Sequence, residues 1–324
     1  MAVEELEVVH RPTTPDTSKH GLLAVLAARL IGPFRRRKEP PRQPVMGFYT
    51  DTTVCIGCKA CEVACKQWNQ LPADGFAFTG DSYDNTDELS ASSWRHVKFI
   101  EQFADVIPPS AAAPGHPQAG RLSLDVISVP TMPEPAANRW LMMSDVCKHC
   151  AAAPCQQACP TGAIIYNEFG NVYIQPDICN GCAYCVATCP FGVVTRSDFS
   201  GHARKCTLCY DLQKDGLVPA CAKACPTASI QFGPLDELKV RAQKRVETLK
   251  GRGTAGAHLY GATATETYTE LNSFYLLVDQ PEVYGLPADP FNPWVHMAGD
   301  YLRTAAVGLA TLATLLAVIL MGGN

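Results

Sequence analysis

The chain has 324 residues, of which 47% are hydrophobic, and it is therefore long enough to form two domains with hydrophobic cores. Its 27 basic and 31 acidic residues give a formal charge of −4, which excludes a strongly basic, nucleic-acid-binding class. Sixteen cysteines stand in four tight groups, so we expect metal ligands rather than a disulfide scaffold, which is usually a much shorter chain.

Residues 1–46 are predicted to be an N-terminal extension rich in proline and charge. The chain begins with acidic residues where a secretory signal would carry positive charge, so we do not expect such a signal. An apolar run, 21–32, is too short to span a bilayer, and a basic cluster follows it at 35–38. Two interpretations stay open for this pair: a segment that lies on a membrane surface or a partner subunit, and a solvated extension.

Four cysteine groups follow, at 55–65, 147–159, 179–189 and 206–225. The first and third groups have the spacing C-x2-C-x2-C-x3-C, and the other two vary it. A long insert without cysteine separates the first two groups. Between the second and third groups, the stretch GAIIYNEFGNVYIQ alternates in polarity around a turn and predicts a short hairpin.

The segment 234–253, which follows the last group, has the pattern of an amphipathic helix. Apolar residues recur at helical spacing at Leu235, Leu238, Ala242, Val246 and Leu249. Gly251 is placed to end the helix, and the apolar stripe is interpreted as ordinary packing. A proline-rich loop, 281–293, then leads to the C-terminal segment.

The stretch 305–321 contains 17 residues without charge. At ~1.5 Å per residue, a helix of this length spans roughly 26 Å, which is close to the lower limit for crossing a bilayer. Tyr301 and Arg303 stand where interfacial anchors would lie. Because the run is apolar on all sides, we expect a single transmembrane anchor; the alternative is a buried C-terminal helix.

The cysteine spacing matches what a [4Fe–4S] cluster requires, because each of its four irons binds one thiolate. Three cysteines two residues apart on a curled loop can converge on one cluster. We expect the fourth cysteine to start a helix, face away and ligate a second cluster, as in ferredoxins with this spacing and a following proline. Proline follows Cys159, Cys189 and Cys225, whereas Lys66 follows Cys65. Four groups therefore make two pairs that hold four clusters, and the sixteen ligands use every cysteine.

Zinc and disulfides are the alternatives to this interpretation. Zinc favours separated C-x2-C pairs, and three closely spaced cysteines would crowd a single ion. Near neighbours in the sequence form disulfides poorly. Spacing does not settle which groups pair. The second and third groups are close and joined by the predicted hairpin, which would leave the first and fourth to form the other module.

The predicted fold class is α+β, with two ferredoxin-like modules that each hold two [4Fe–4S] clusters, plus a single C-terminal transmembrane helix. The predicted segments are an N-terminal extension (1–46), the first half of the first module (47–102), an irregular insert (103–138), the second module (139–200), the second half of the first module (201–233), a helix and loop region (234–300) and the anchor (301–324).

Clusters ligated only by cysteine leave no iron open to a substrate, which favours an electron-transfer protein over a catalytic one. The sequence contains neither H-E-x-x-H nor G-x-S-x-G, and we predict no catalytic residues. Beside the groups, His149 is expected to be a polar surface residue, with tuning of a nearby cluster as the alternative. The same two interpretations, with solvation of most side chains preferred, apply to Lys59, Lys148, Lys205 and Lys223.

Six further stretches carry a family likeness: TVCIGCKACEVACKQWN (53–69), YDNTDELSASSW (83–94), KCTLCYDL (205–212), ACAKACPTASIQFG (220–233), QKRVETLKGRG (243–253) and DQPEVYGLP (279–287). With the C-terminal anchor, they resemble the iron–sulfur (beta) subunit of membrane-bound respiratory formate dehydrogenase over roughly residues 47–321. The cysteine groups alone mark only the wider class of four-cluster subunits, found also with nitrate, polysulfide, dimethyl sulfoxide and hydrogenase partners.

The resemblance implies one ligand set for each of four clusters. The sets are Cys55, Cys58, Cys61 and Cys225; Cys206, Cys209, Cys221 and Cys65; Cys147, Cys150, Cys155 and Cys189; and Cys179, Cys182, Cys185 and Cys159.

The resemblance also implies a non-catalytic electron-transfer subunit. Its partners would be a catalytic subunit with a molybdenum or tungsten pterin cofactor and a haem b membrane subunit that passes electrons to quinone, with the clusters on the extracytoplasmic face. The chain departs from the family in 1–46 and in the irregular stretch 103–135. The alternatives are the equivalent subunit of another molybdopterin oxidoreductase or of a membrane hydrogenase, and a zinc-stabilised, membrane-tethered binding protein.

Overall fold

The computed structural model describes residues 43–75, 83–86, 88–102, 139–265 and 267–322. The apolar run 21–32, the basic cluster 35–38 and nearly all of the predicted N-terminal extension lie outside the described residues, as does the insert 103–138. In the described part, strands and helices are interspersed along the chain, so the secondary structure is mixed α and β, as predicted.

Strands and helices are numbered in chain order within the described residues. The strands are β1 (Met46–Asp51), β2 (Arg95–Gln102), β3 (Arg139–Val146), β4 (Ile164–Tyr166), β5 (Val172–Ile174), β6 (Thr195–Arg196), β7 (Ala203–Arg204), β8 (Ile230–Pro234), β9 (His258–Tyr260) and β10 (Ser273–Leu277). The α-helices are α1 (Ala60–Trp68), α2 (Pro154–Gln157), α3 (Tyr184–Ala187), α4 (Tyr210–Lys214), α5 (Ala220–Lys223), α6 (Leu235–Gly251) and α7 (Pro293–Gly322). Short 3-10 helices occur at Thr52–Val54 and Pro281–Tyr284.

A four-stranded sheet with the strand order β8–β1–β10–β9 joins distant parts of the chain. β1 pairs antiparallel with β8, so that Thr50 lies opposite Ile230, and parallel with β10. The first cysteine group begins just after β1, and the fourth group ends just before β8. Because the two strands are antiparallel neighbours, this sheet brings Cys55 and Cys225 to the same end.

Helix α6 and the sheet form a small hydrophobic core of their own. The predicted helix is confirmed, and all five residues of its apolar stripe are buried. They pack with Tyr49, Phe274 and Leu276 of the sheet, and the rings of Tyr49 and Phe274 stack with their centroids 5.4 Å apart. Among the described residues this core contains no cysteine, so the helix supports the sheet rather than a metal site.

Antiparallel pairs carry the chain between the cysteine groups. β2 and β3 pair along their whole length, from Arg95 opposite Val146 to Gln102 opposite Arg139, and so return the chain from the first group to the second. The predicted hairpin between the second and third groups is confirmed, because β4 and β5 pair antiparallel. β6 and β7 form a shorter pair before the fourth group.

A helix carries the third cysteine of every group as its second residue. These cysteines are Cys61 in α1, Cys155 in α2, Cys185 in α3 and Cys221 in α5. The prediction that the fourth cysteine starts a helix is therefore wrong. Cys65 lies inside α1, and the fourth cysteine of each other group follows a helix that has just ended. Because the third and fourth cysteines are four residues apart, about one helical turn, or ~6 Å along the axis, separates them.

Helix α7 is the longest helix in the described part of the chain. Many of its apolar side chains are exposed, among them Leu309, Leu315 and Val318. Of the helices that the structure describes, none combines the length and the apolar character that a membrane crossing requires. The predicted transmembrane anchor is not confirmed and stays a prediction.

Candidate metal centres

Each C-x2-C loop turns at its third position, where the backbone φ angle is positive. The residues there are Gly57 (φ 64°), His149 (φ 44°), Gly181 (φ 72°) and Leu208 (φ 57°). Glycine adopts this left-handed conformation without strain, whereas another residue loses roughly 1–2 kcal/mol. Glycine at this position in the first and third groups is a signal for the turn that the sequence analysis did not use, and the same turn at His149 and Leu208 has no such signal.

Site A is the cavity lined by Cys55, Cys58, Cys61 and Cys225, and protein atoms leave about 290 Å³ of it unfilled. Cys58 is exposed, so this site lies near the surface. Burial raises the pKa of the Cys61 thiol to about 11. The Oγ atom of Ser144 lies 3.2 Å from the sulfur of Cys61, within hydrogen-bonding distance. Cysteines of the first and fourth groups therefore share one cavity.

Site B consists of Cys65, Cys206, Cys209 and Cys221, which are all buried. Burial raises the pKa of the Cys65 thiol well above its usual range, and the charges of Cys206 and Cys221 raise it further. Helix α1, which carries Cys65, packs against helix α5, which carries Cys221, so these two thiols lie in the same region of the fold. The backbone N–H of Leu208 donates to the sulfur of Cys206 at 3.2 Å.

Site C is the cavity lined by Cys147, Cys150, Cys155 and Cys189, with about 300 Å³ unfilled. The hydroxyl of Tyr268 donates a hydrogen bond to the sulfur of Cys150 at 3.0 Å. Burial raises the pKa of the Cys150 thiol to about 12. This site combines the second group with the last cysteine of the third.

Site D is the cavity lined by Cys159, Cys179, Cys182 and Cys185, again with about 300 Å³ unfilled. Burial raises the pKa of the Cys185 thiol to about 11. Burial raises the pKa of the Cys159 thiol, but hydrogen bonds from the Thr161 hydroxyl and from nearby backbone N–H groups lower it. The hydrogen bonds outweigh burial, so the pKa of Cys159 is lowered overall. Cys182 is exposed, so site D also lies near the surface.

In sites A, C and D the four cysteines line a cavity rather than meeting at a point. Within the described ranges, no three His, Cys, Asp or Glu side chains are arranged to hold a single metal ion. All sixteen cysteines are free thiols, and thiolate is the ligand that iron–sulfur clusters use. Because burial raises the pKa of thiols such as those of Cys61, Cys150 and Cys185, a metal group that binds them as thiolates would stabilise a charge that the fold alone disfavours. The residues present therefore fit a polynuclear iron–sulfur group.

The four sites follow one another in the order A, B, C, D. Helix α1 joins A to B, because Cys61 belongs to the first and Cys65 to the second. B lies beside C, because the Nζ of Lys205 donates both to the carbonyl oxygen of Cys206 and to that of Val172, which lines site C. C and D are joined twice, at the short helices α2 and α3, each of which carries one cysteine and precedes another.

The ends of this row differ from its middle in exposure. Site A contributes the exposed Cys58 and site D the exposed Cys182. Every cysteine of sites B and C is buried except Cys189, which is half-buried. A row of sites with a shielded middle and two accessible ends suits the transfer of charge between two surfaces.

Two lysines beside the sites are buried, and the prediction that they are solvated is wrong for both. Lys148 is 1% exposed and forms an ion pair with Asp145, which is itself buried. Lys205 is 3% exposed, and its Nζ donates to the carbonyl oxygens of Val172 at 2.5 Å and Cys206 at 3.0 Å. Partners from the folded chain replace the water that each ammonium loses.

The other two lysines lie nearer to the solvent. Lys59 is partly buried and forms an ion pair with Asp84 at 2.8 Å. Lys223 is exposed, as predicted. Neither side chain is therefore enclosed among the sites as Lys148 and Lys205 are.

His149 is fully buried, so its prediction as a surface residue is wrong. It lines site C, and neither ring nitrogen has a hydrogen-bond partner among the described residues. Burial lowers the pKa of His149 well below its usual range, and the charges of Lys205 and Arg95 lower it further. The ring is therefore neutral beside the cysteines of site C.

Sequence reasoning missed three residues that contact the sites: Arg95, Ser144 and Tyr268. Ser144 and Tyr268 contact the sulfurs of Cys61 and Cys150 from positions 83 and 118 residues away. Contacts at this separation leave no local pattern, so no spacing rule applied to this sequence could have found them.

Comparisons with known proteins agree with the cysteine geometry. A family described as a 4Fe-4S dicluster domain matches residues 138–235, and a second family with the same description matches residues 54–163. Together the two matches include all four cysteine groups.

Several curated proteins are similar over most of this chain. The formate dehydrogenase iron–sulfur subunit of Haemophilus influenzae is 37% identical over 270 residues, covering 81% of this chain and 76% of the relative. The iron–sulfur subunit of the nitrate-inducible formate dehydrogenase of Escherichia coli is 38% identical over 244 residues, covering 74% and 71%. The B subunit of the anaerobic dimethyl sulfoxide reductase of Escherichia coli is 30% identical over 193 residues, covering 60% and 75%.

Proposed function

Because the chain belongs to the family of formate dehydrogenase iron–sulfur subunits, we propose that it carries electrons between a formate-oxidising catalytic subunit and a membrane subunit. The chain is an electron-transfer subunit, and its cofactors are four [4Fe–4S] clusters. One observation carries the proposal: four groups of four cysteines lie in a row whose outer members reach the surface.

In this proposal each of sites A to D binds one cluster through its four cysteines. A [4Fe–4S] cluster supplies the capacity to accept and release single electrons. The residues of the chain hold the thiolates, keep water from the two middle sites and donate hydrogen bonds to sulfur, as Tyr268 and the backbone of Leu208 do. The third and fourth cysteines of each group ligate neighbouring clusters, so the intervening helical turn fixes the spacing between them.

The two exposed sites suggest where the partners bind. One of A and D would receive electrons from a catalytic subunit that holds a molybdenum or tungsten pterin cofactor. The other would pass them to a haem b membrane subunit and from there to quinone. Cys58 and Cys182 mark the surfaces at which these contacts are proposed.

Helix α7 is proposed as the contact with the membrane and its haem b subunit, on the extracytoplasmic face. The support is the set of exposed apolar side chains along the helix, including Leu309, Leu312 and Leu316, together with the absence of charge in the sequence from 304 to 324. A helix with such a surface is stable only beside lipid or an apolar partner.

A second candidate is the equivalent subunit of another molybdopterin oxidoreductase or of a membrane hydrogenase. The similarity to the B subunit of a dimethyl sulfoxide reductase favours it, but that similarity covers 60% of the chain, whereas the formate dehydrogenase subunits cover 74% and 81%. The identity of the catalytic subunit separates the two candidates.

The test is purification of the whole complex from its native membrane under anaerobic conditions. We expect one iron and one sulfide for each cysteine, about sixteen of each per chain, together with formate-dependent reduction of a quinone analogue. Mass spectrometry of the copurifying subunits should identify a formate dehydrogenase catalytic subunit. A complex with zinc in place of iron would overturn the electron-transfer role, and a different catalytic partner would establish the second candidate.

A further inference from the structure

Arg95 is the largest fully buried side chain in the described part of the chain, with 2% of its surface exposed. It begins β2, and its guanidinium lies over the ring of Phe48, with Cζ 4.8 Å from the ring centroid. Among the described residues it forms no ion pair with a carboxylate, unlike the buried Lys148. Since burying an unpaired charge is costly, a negative charge that the polypeptide does not supply is expected nearby.

Arg95 also lacks hydrogen-bond acceptors for part of its guanidinium group. Its Nη1 donates to the hydroxyl of Ser144 at 3.0 Å, and that hydroxyl lies 3.2 Å from the sulfur of Cys61. Its Nε and Nη2 are buried without a partner among the described residues. A buried guanidinium with two unpartnered nitrogens is rare in a folded protein, because each unsatisfied polar group costs roughly 1–3 kcal/mol.

The surroundings of Arg95 identify the missing charge. The pKa of Arg95 is raised overall: burial lowers it, but negative charge at Cys221, Cys61 and Cys206, which ligand thiolates would carry, raises it by more. Cys61 belongs to site A, and the other two belong to site B. Arg95 also lines a cavity with Cys65 of site B. The guanidinium therefore lies between the first two sites, with contacts toward both.

We propose that Arg95 is the fixed positive charge that raises the reduction potentials of the clusters at sites A and B and supplies hydrogen bonds to their sulfur atoms. This proposal rests on the proposed ligand sets. Each electron that arrives adds one negative charge to a site and comes from the neighbouring site or partner, so no other group is oxidised or reduced. A buried cation stabilises the more negative, reduced form more strongly than the oxidised form, because the protein interior screens the interaction weakly.

The experiment is a redox titration of the whole complex followed by electron paramagnetic resonance. Arg95→Met removes the charge and keeps most of the volume, whereas Arg95→Lys keeps a positive charge. We expect Arg95→Met to lower the equilibrium constant for reduction about tenfold at two of the four clusters, equal to a potential about 59 mV lower for a one-electron couple. The other two clusters are internal controls that should not shift, and Arg95→Lys should restore most of the potential.

Iron content is measured in parallel, so that a loss of clusters is distinguished from a change in their potentials. Four unchanged potentials in an Arg95→Met complex with its full iron overturn the proposal and leave the electron-transfer function intact. A wild-type complex without iron contradicts the function itself.

If Arg95→Met loses iron, Arg95→Gln takes its place in the titration, because it also removes the charge but keeps a polar side chain at this position. Lower potentials at two clusters support the proposal, and four unchanged potentials in an Arg95→Gln complex with its full iron overturn it.

Discussion

The hydroxyl of Tyr268 donates a hydrogen bond to the sulfur of Cys150 across 3.0 Å, although 118 positions separate the two residues in the sequence. The ring of Tyr268 is held edge-on against Phe191, with the centroids 5.8 Å apart, so the hydroxyl has a fixed direction. A hydrogen bond to a sulfur that carries negative charge stabilises that charge, and it does so more strongly as the charge increases.

Tyr268→Phe is therefore expected to lower the reduction potential of one cluster, at site C, without loss of iron. The substitution removes one hydroxyl and keeps the packing against Phe191, so stability should fall by only about 1 kcal/mol. A redox titration followed by electron paramagnetic resonance measures the shift.

Tyr260→Phe is the matched control, because its buried hydroxyl donates to the carbonyl oxygen of Pro287 at 2.7 Å and not to a cysteine. Equal potentials for Tyr268→Phe and Tyr260→Phe would contradict a role of the Tyr268 hydroxyl at site C.

Cys206→Ser is expected to interrupt electron flow at site B, in the shielded middle of the row. Formate-dependent reduction of a quinone analogue should fall at least tenfold, because the electrons must pass site B. Reduction of a dye that takes electrons directly from the catalytic subunit should remain.

Thr207→Ala is the control for Cys206→Ser, since it alters the adjacent side chain without removing a thiol. Full quinone reduction by a Cys206→Ser complex that has lost the iron of one cluster would show that site B is not on the path.

Leu238→Ala is expected to destabilise the sheet and helix core that contains no described cysteine. Leu238 is 1% exposed, and truncation of a buried leucine costs about 2–5 kcal/mol. Val240→Ala on the same helix is the control: Val240 is 72% exposed, so its loss should change stability by less than about 0.5 kcal/mol. Thermal unfolding followed by circular dichroism compares them, and equal unfolding midpoints would contradict the packing of α6.

Asp279→Asn is expected to change how stability depends on pH. Hydrogen bonds from Gln102, and then the charge of Arg139, lower the pKa of Asp279. A carboxyl whose pKa is lower in the folded state than in the unfolded state stabilises the fold at any pH above its unfolded-state pKa of about 3.9. This stabilisation is lost as the pH falls through the folded-state pKa. At neutral pH the variant should be less stable by no more than about 1 kcal/mol, because solvent screens the partly exposed pair.

The difference between wild type and Asp279→Asn should shrink as the pH falls below about 4, since wild type then loses the same charge. Unfolding midpoints measured for both proteins over this range test the prediction. If the difference in stability between the two proteins instead grew as the pH fell, the ionised Asp279 carboxylate would destabilise the fold, and the prediction would be contradicted.

Paired substitution of Leu312 and Leu316 by arginine is expected to weaken membrane attachment through α7. Both side chains are more than half exposed, and a charge placed in an apolar helix costs roughly 2.5–3.5 kcal/mol in a membrane. Extraction of membranes at alkaline pH, followed by detection of the subunit, measures the attachment. Val240→Arg is the control, and equal retention of the two variants would contradict the proposed role of α7.

The sequence by itself determined the local structure around the cysteines. Hairpin β4–β5 and helix α6 were predictable, because each depends on a repeat of apolar positions over a short stretch. The number of thiols and their grouping also follow from the sequence, and in the first and third groups three cysteines within seven residues can converge only on a tightly turned loop. The start of the helix in each cysteine group was predicted in the wrong place. The helix begins one residue before the third cysteine, whereas the prediction placed its start at the fourth.

Only the tertiary structure decided which groups share a site and what surrounds them. Cys55 and Cys225 line one cavity because β1 and β8 are neighbours in the sheet, a pairing that joins segments about 180 residues apart. Arg95, Lys148 and His149 look like surface residues in the sequence, yet they are buried, since their place depends on partners from other parts of the chain. Local geometry fixes how a loop turns, but burial and charge at the sites depend on contacts made only when the chain has folded.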